Sequence, residues 1–140
     1  MHPIIRNILA IILGIVIGSI VNMSFILLSP YMIPLPLNVD INTSEGLKAA
    51  MPLFGPQHFI FPFLAHALGT FVGAVVAALV AADDKMNFSL AIGFFFLMGG
   101  IANIVMLPFP LWFTVLDFVV AYLPMAYLGG LLVTSKKIKT

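Results

Sequence analysis

Two ionisable side chains, His66 and Asp117, interrupt runs of residues that are otherwise uncharged and apolar. An ionisable group inside such a run is costly in lipid, so it faces a protein interior or a wet cavity and marks where function resides. An imidazole beside a carboxylate can bind or relay a proton, or hold an ion or polar headgroup, and each lowers the other's cost of leaving water. Asn22 and Asn103 add hydrogen-bonding amides, and Thr70 lies one helical turn from His66 on nearly the same face. Asp117, Ala121 and Pro124 share another face, because a seven-residue step returns within about 20° around a helix. Pro124 has no N–H for the carbonyl of Val120, which predicts a kink close to the carboxylate.

The residues present also exclude chemistry. With no cysteine there is no disulfide, iron–sulfur cluster, thiolate zinc site or catalytic thiol. His58 and His66 are about 12 Å apart along one helix, too far to share an ion whose ligands stand about 2 Å away. His66 and Asp117 alone leave a metal incompletely coordinated, and no cofactor-attachment motif occurs, so neither metal nor cofactor is expected. Ser19 or Ser24 could be set beside His66 and Asp117, but no nucleophile motif surrounds either serine, and no catalytic residue is assigned.

The elements that must carry these residues follow from composition. Of 140 residues, 62% are hydrophobic and only 8% charged, a balance foreign to soluble domains. A net charge of +1 excludes nucleic-acid binding as a main activity. Residues 8–28, 57–82, 88–107 and 111–133 are each long enough to cross a hydrocarbon core, which takes about 20 helical residues. Lipid offers no partner to open backbone groups and the runs are too long for barrel strands, so all four are read as helices. The fold class is an all-α membrane protein, one integral domain over residues 1–140, with four transmembrane helices in an antiparallel bundle. The first run is too long for a secretory leader and residues 21–24 offer no small-x-small cleavage site, so it is read as a retained helix.

Arg6, Lys85, Lys136, Lys137 and Lys139 fall on one side of such a bundle and only Lys48 on the other. That asymmetry places both termini in the cytoplasm, as in a bacterial inner membrane protein. The run from Lys136 to Lys139 reads as a topology anchor against anionic headgroups. Residues 83–87 and 108–110 are tight turns, so the second, third and fourth helices should be sequential neighbours. The outer loop, 29–56, is long for a compact protein. Within it, Thr43 or Ser44 can cap a short helix through Met51, with Leu47, Ala50, Met51 and Phe54 on one face and Glu45 and Lys48 elsewhere. This reads as a small amphipathic helix in the outer interface. Tyr31, His58, Phe109 and Trp112 read as anchors at the same interface.

Helices associate in lipid through small residues that let backbones approach. Gly14 and Gly18 form such a row in the first helix, and Ala65, Gly69, Gly73, Ala77 and Ala81 in the second. Residues 18–23 (GSIVNM) resemble residues 99–104 (GGIANI), and the helix after each carries one ionisable residue, His66 or Asp117. Two tandem helical hairpins related by an axis along the membrane normal would produce this pattern. Asn22, His66, Asn103 and Asp117 then all fall in the outer half of the bilayer. Three functions compete. The first is a small oligomeric transporter or channel subunit whose polar site is that ring. The second is a non-catalytic subunit or assembly factor docking a partner membrane protein, and the third an intramembrane enzyme acting on lipid. The expected partners are the bilayer and either further copies of the chain or another membrane protein.

Overall fold

The structure, a computed structural model, describes residues 1–136, so Lys137, Ile138 and Lys139 of the basic tail lie outside the described residues. Every regular element among the described residues is a helix, and four helical spans are long and apolar enough to cross a membrane. The protein is therefore an integral, multi-pass membrane protein.

Helix α1 spans Pro3–Met32. It starts five residues before the expected boundary because Pro3 sits at its first position and the His2 ring accepts a bond from the N–H of Ile4 at 3.3 Å. Its far end runs through Pro30 and closes where the N–H of Ile33 bonds Ser29 O. The loop thus begins at Ile33 rather than residue 29. At 30 residues α1 is roughly 45 Å long, longer than a hydrocarbon core of about 30 Å.

Helix α2, Ser44–Ala50, is capped by Thr43, whose hydroxyl accepts from the N–H of Gly46 at 3.0 Å. It ends one residue short of Met51, which opens a 3₁₀ turn, Met51–Leu53, with Pro52 inside it. Met51 packs with Phe59 and Phe113, and Leu47 and Phe54 pack around them, while Glu45 and Lys48 stay exposed. The apolar face of α2 is thus turned onto the other helices.

A second 3₁₀ turn, Pro56–Phe59, leads into α3, Ile60–Val80, so regular helix starts later than the apolar run does. Helix α3 is the hub, packing against α1, α4 (Lys85–Met106) and α6 (Leu123–Thr134). Its small residues make this close approach possible. A methyl added at Gly14 would stand 2.8 Å from Gly73 O, and one at Gly18 would stand 2.7 Å from Gly69 O. The carbonyls at the end of α3 are closed by cations: the Arg6 guanidinium donates to Val80 O and Ala81 O, and the Lys85 ammonium to Ala78 O and Ala81 O. Asn7 adds bonds to Ala82 N and Asp83 across the same turn.

The fourth apolar run is not one helix. Helix α5, Leu111–Val120, and α6 are separated at Ala121–Tyr122, where Tyr122 takes φ −107° and ψ −88°. Pro124 follows in the first turn of α6, the one part of a helix where its missing N–H costs nothing. The N–H of Ala121 bonds Asp117 O below the break, and that of Ala126 bonds Tyr122 O beyond it.

Candidate functional site

Helix α3 and helix α5 bring His66 and Asp117 into contact. The Nδ1 of His66 donates to both carboxylate oxygens of Asp117, at 2.9 and 2.8 Å. Tyr122, at the α5–α6 break, completes the group: its hydroxyl donates to Asp117 Oδ2 at 2.8 Å and lies 3.1 Å from His66 Nδ1. The phenol also stacks on the imidazole, with ring centres 5.7 Å apart. All three side chains are withdrawn from the surface, His66 to 9% exposure, Asp117 to 3% and Tyr122 to 1%. A carboxylate this deep keeps its place because both oxygens are hydrogen-bonded.

Tyr122 is the residue that sequence reasoning missed. A tyrosine in an apolar run reads as packing bulk, and its hydroxyl reaches Asp117 only because the helix breaks beside it. One sign was available: Gly100 leaves no room for even a methyl group beside the Tyr122 ring and hydroxyl, so the second glycine of the Gly99–Gly100 pair makes space for it.

With Nδ1 committed to the carboxylate, the opposite nitrogen, Nε2, has no hydrogen-bond partner among the described residues. His66 lines a cavity of about 420 Å³ that Asn22 and Asn103 also line, within the size range of small-molecule sites. The carbonyl oxygen of the Asn22 side chain is buried without a partner. Three of the polar residues singled out by the sequence therefore share one cavity, and Asp117 stands behind the third of them. Thr70 does not join: it is fully buried, and its hydroxyl bonds to none of these groups.

Two readings from the sequence need correction. His58 is not an interface anchor but is buried, with Nδ1 accepting from Gly55 N at 3.0 Å and Nε2 donating to Pro34 O at 3.0 Å. It ties the long loop down over the cavity, and both ring nitrogens are spent in doing so. Ser24 is exposed and donates to Ile20 O at 2.7 Å, a bond within its own helix, and Ser19 is exposed too, so neither stands at His66. Ser29 lines the cavity but sits seven residues beyond Asn22, about 10 Å further along α1. Among the described residues no three His, Asp or Glu side chains come together as metal ligands.

No protein family, curated protein or solved structure matches this chain, so the geometry alone carries the functional argument.

Proposed function

We propose that the protein is a subunit of a small proton-coupled transporter or channel, assembled as a homo-oligomer in a bacterial inner membrane. The observation that carries this reading is the His66–Asp117–Tyr122 group at the wall of a cavity. Asp117 fixes the imidazole through Nδ1, and Nε2 is then the atom that gives or takes a proton on the cavity side. Below His66 the helices pack through Gly14, Gly73, Ala74, Ala77 and Ile92, with no room for a pathway, so the cavity is shut off from the side of the membrane where α3 ends. The break at Tyr122 is where the fourth span can flex to open that side.

In this reading the four spans form an antiparallel bundle of two tandem hairpins. The pairing of Arg6 with the end of α3 and of Gly18 with Gly69 nearer its start supports opposite directions for α1 and α3. Both termini lie in the cytoplasm, and α2 rests at the outer interface with Glu45 and Lys48 turned to water. A role as a docking subunit has less support, since Gly14, Gly18, Gly69 and Gly73 are taken up in packing α1 on α3 within the chain. A lipid-acting enzyme lacks a serine beside His66.

The test is potential-driven proton uptake into vesicles holding the purified protein and an entrapped pH dye. Wild-type protein acidifies the lumen, and Asp117→Asn and His66→Ala abolish uptake while eluting from a sizing column as wild type does. Uptake at wild-type rates in both variants overturns the proposal.

A further inference from the structure

The cavity has a floor, a roof and one open side, and each restricts what can occupy it. The floor presents the Asn22 amide, the Asn103 amide and Nε2 of His66, none of them hydrogen-bonded to another described residue. Of these atoms the Asn22 side-chain carbonyl oxygen is buried without a partner, which is costly, so an occupant that satisfies it gains affinity. A neutral imidazole held through Nδ1–H accepts at Nε2, whereas the amides both donate and accept. A hydroxyl carries one proton, for Nε2 or for the Asn22 side-chain carbonyl oxygen, and lone pairs that accept from an amide N–H; a carbonyl or an ether only accepts and leaves both of those acceptors bare. Among the described residues no Lys, Arg, Asp or Glu lines the cavity, and the Asp117 oxygens behind it are taken, so a charged headgroup finds no fixed counter-ion. The remaining wall is aliphatic and aromatic apart from Ser29, about 10 Å along α1 from Asn22, and His58, whose ring nitrogens are bonded to the loop. The occupant is therefore neutral, apolar in body and hydroxylated at one end.

Its route follows from the roof and the side. Leu35, Ile41, Leu47, Met51 and Phe54 close the end facing the loop, held there by the His58 bond to Pro34. Helices α1 and α4 meet at Gly14 against Ile92 and at Gly18 against Phe96. One turn further along α4 they have parted, and a methyl on Gly99 would meet nothing within 4 Å. Met23 and Ile26 of α1 border this gap: they line the cavity and yet are 53% and 36% exposed. The opening thus lies along apolar helix surface that faces lipid, and the watery end is covered.

We propose that the cavity binds a neutral, membrane-dissolved alcohol or phenol, which arrives from the bilayer between α1 and α4 and seats its hydroxyl among Asn22, His66 and Asn103. This rests on the reading of the cavity as the ligand site of a proton-linked carrier, with His66 Nε2 accepting the hydroxyl hydrogen bond.

The probe is a long-chain alcohol bearing a photoreactive diazirine, added to vesicles that contain the full-length protein and mapped by peptide mass spectrometry. Labelling concentrates on residues lining the cavity, and excess unlabelled alcohol suppresses it, whereas the matching methyl ether does not. Asn103→Leu and Asn22→Leu each lower labelling about tenfold, the loss of roughly one hydrogen bond. Ile26→Trp fills the side opening and also lowers it, while Leu37→Trp on the exposed loop leaves it unchanged. Labelling spread along all lipid-facing residues, or ether and alcohol competing equally, overturns the ligand class, and this wild-type comparison needs no variant to fold. Labelling blocked by Leu37→Trp but not by Ile26→Trp overturns the bilayer route. Proton uptake is measured in the same vesicles. If it depends on Asp117 while the alcohol fails to bind, the ligand falls and the transport reading stands. If the alcohol binds but wild-type vesicles take up no protons, the transport reading falls and takes with it the carrier role of this site.

Discussion

A phenol that donates to a buried carboxylate both satisfies an oxygen and fixes where that oxygen points. Tyr122 does this for Asp117, and its ring presses on His66 from the other side. Tyr122→Phe keeps the packing and removes one charge-assisted bond, so it should cost about 1 kcal/mol, the scale of such bonds in membrane proteins. Thermal unfolding in detergent reads that loss. Proton uptake should fall but persist, because Nδ1 still holds the carboxylate; complete loss would place Tyr122 on the proton's path. Thr70 predicts the opposite sign for stability. Its hydroxyl is buried and unpartnered, and Thr70→Val removes it at nearly constant shape, so the variant should be more stable by about 1 kcal/mol. His66 and Asp117 were legible as candidates because ionisable residues stand out in apolar runs, but that they touch was not, since it depends on how α3 and α5 are rotated against each other. Tyr122 was not, since its role depends on a backbone break that a hydropathy pattern does not register. The loop histidine was also opaque: whether His58 anchors to headgroups or binds a carbonyl depends on where residues 33–55 fold back.

At the scale of the helices, close approach divides the two similar segments of the sequence. Gly18 and Gly99 open those segments, and Asn22 and Asn103 in them line one cavity. Their glycines do different work. A methyl on Gly18 would stand 2.7 Å from a backbone oxygen of α3, but a methyl on Gly99 meets open space. Gly18→Ala should therefore destabilise the protein by about 1–3 kcal/mol through overpacking. Gly99→Ala should stabilise it slightly, by up to about 1 kcal/mol of helix propensity. Equal effects in thermal unfolding would mean that α1 and α4 do not part where the structure places their separation. The four apolar spans could be read from length and composition alone, because a hydrocarbon core demands both. The ends of the elements could not. Pro3 and His2 start α1 early through capping, and Pro124 marks a break two to three residues before it, both local backbone effects inside apolar sequence.

Orientation belongs to the whole molecule, and here the basic residues have a second duty. Arg6 and Lys85 are drawn onto the terminal carbonyls of α3, where they neutralise the negative end of the most buried helix. That arrangement ties the start of α1, the end of α3 and the start of α4 to one membrane face, and the long loop to the other. In the proposed topology the first face is the cytoplasmic one, as the positive-inside rule would have it. Because the chain contains no cysteine, single replacements report this without background. Leu37, 90% exposed on the loop, and Lys136 and His2, both exposed, are suitable sites. In intact cells a membrane-impermeant maleimide should label Leu37→Cys at once. His2→Cys and Lys136→Cys should label only after the membrane is permeabilised. The reverse pattern would put the cavity, with His66 and Asp117, in the cytoplasmic half, and any proton-linked flux would then load its ligand from inside. Labelling of His2→Cys and Lys136→Cys from opposite sides would mean an odd number of crossings, and α5 and α6 could no longer be one span bent at Tyr122.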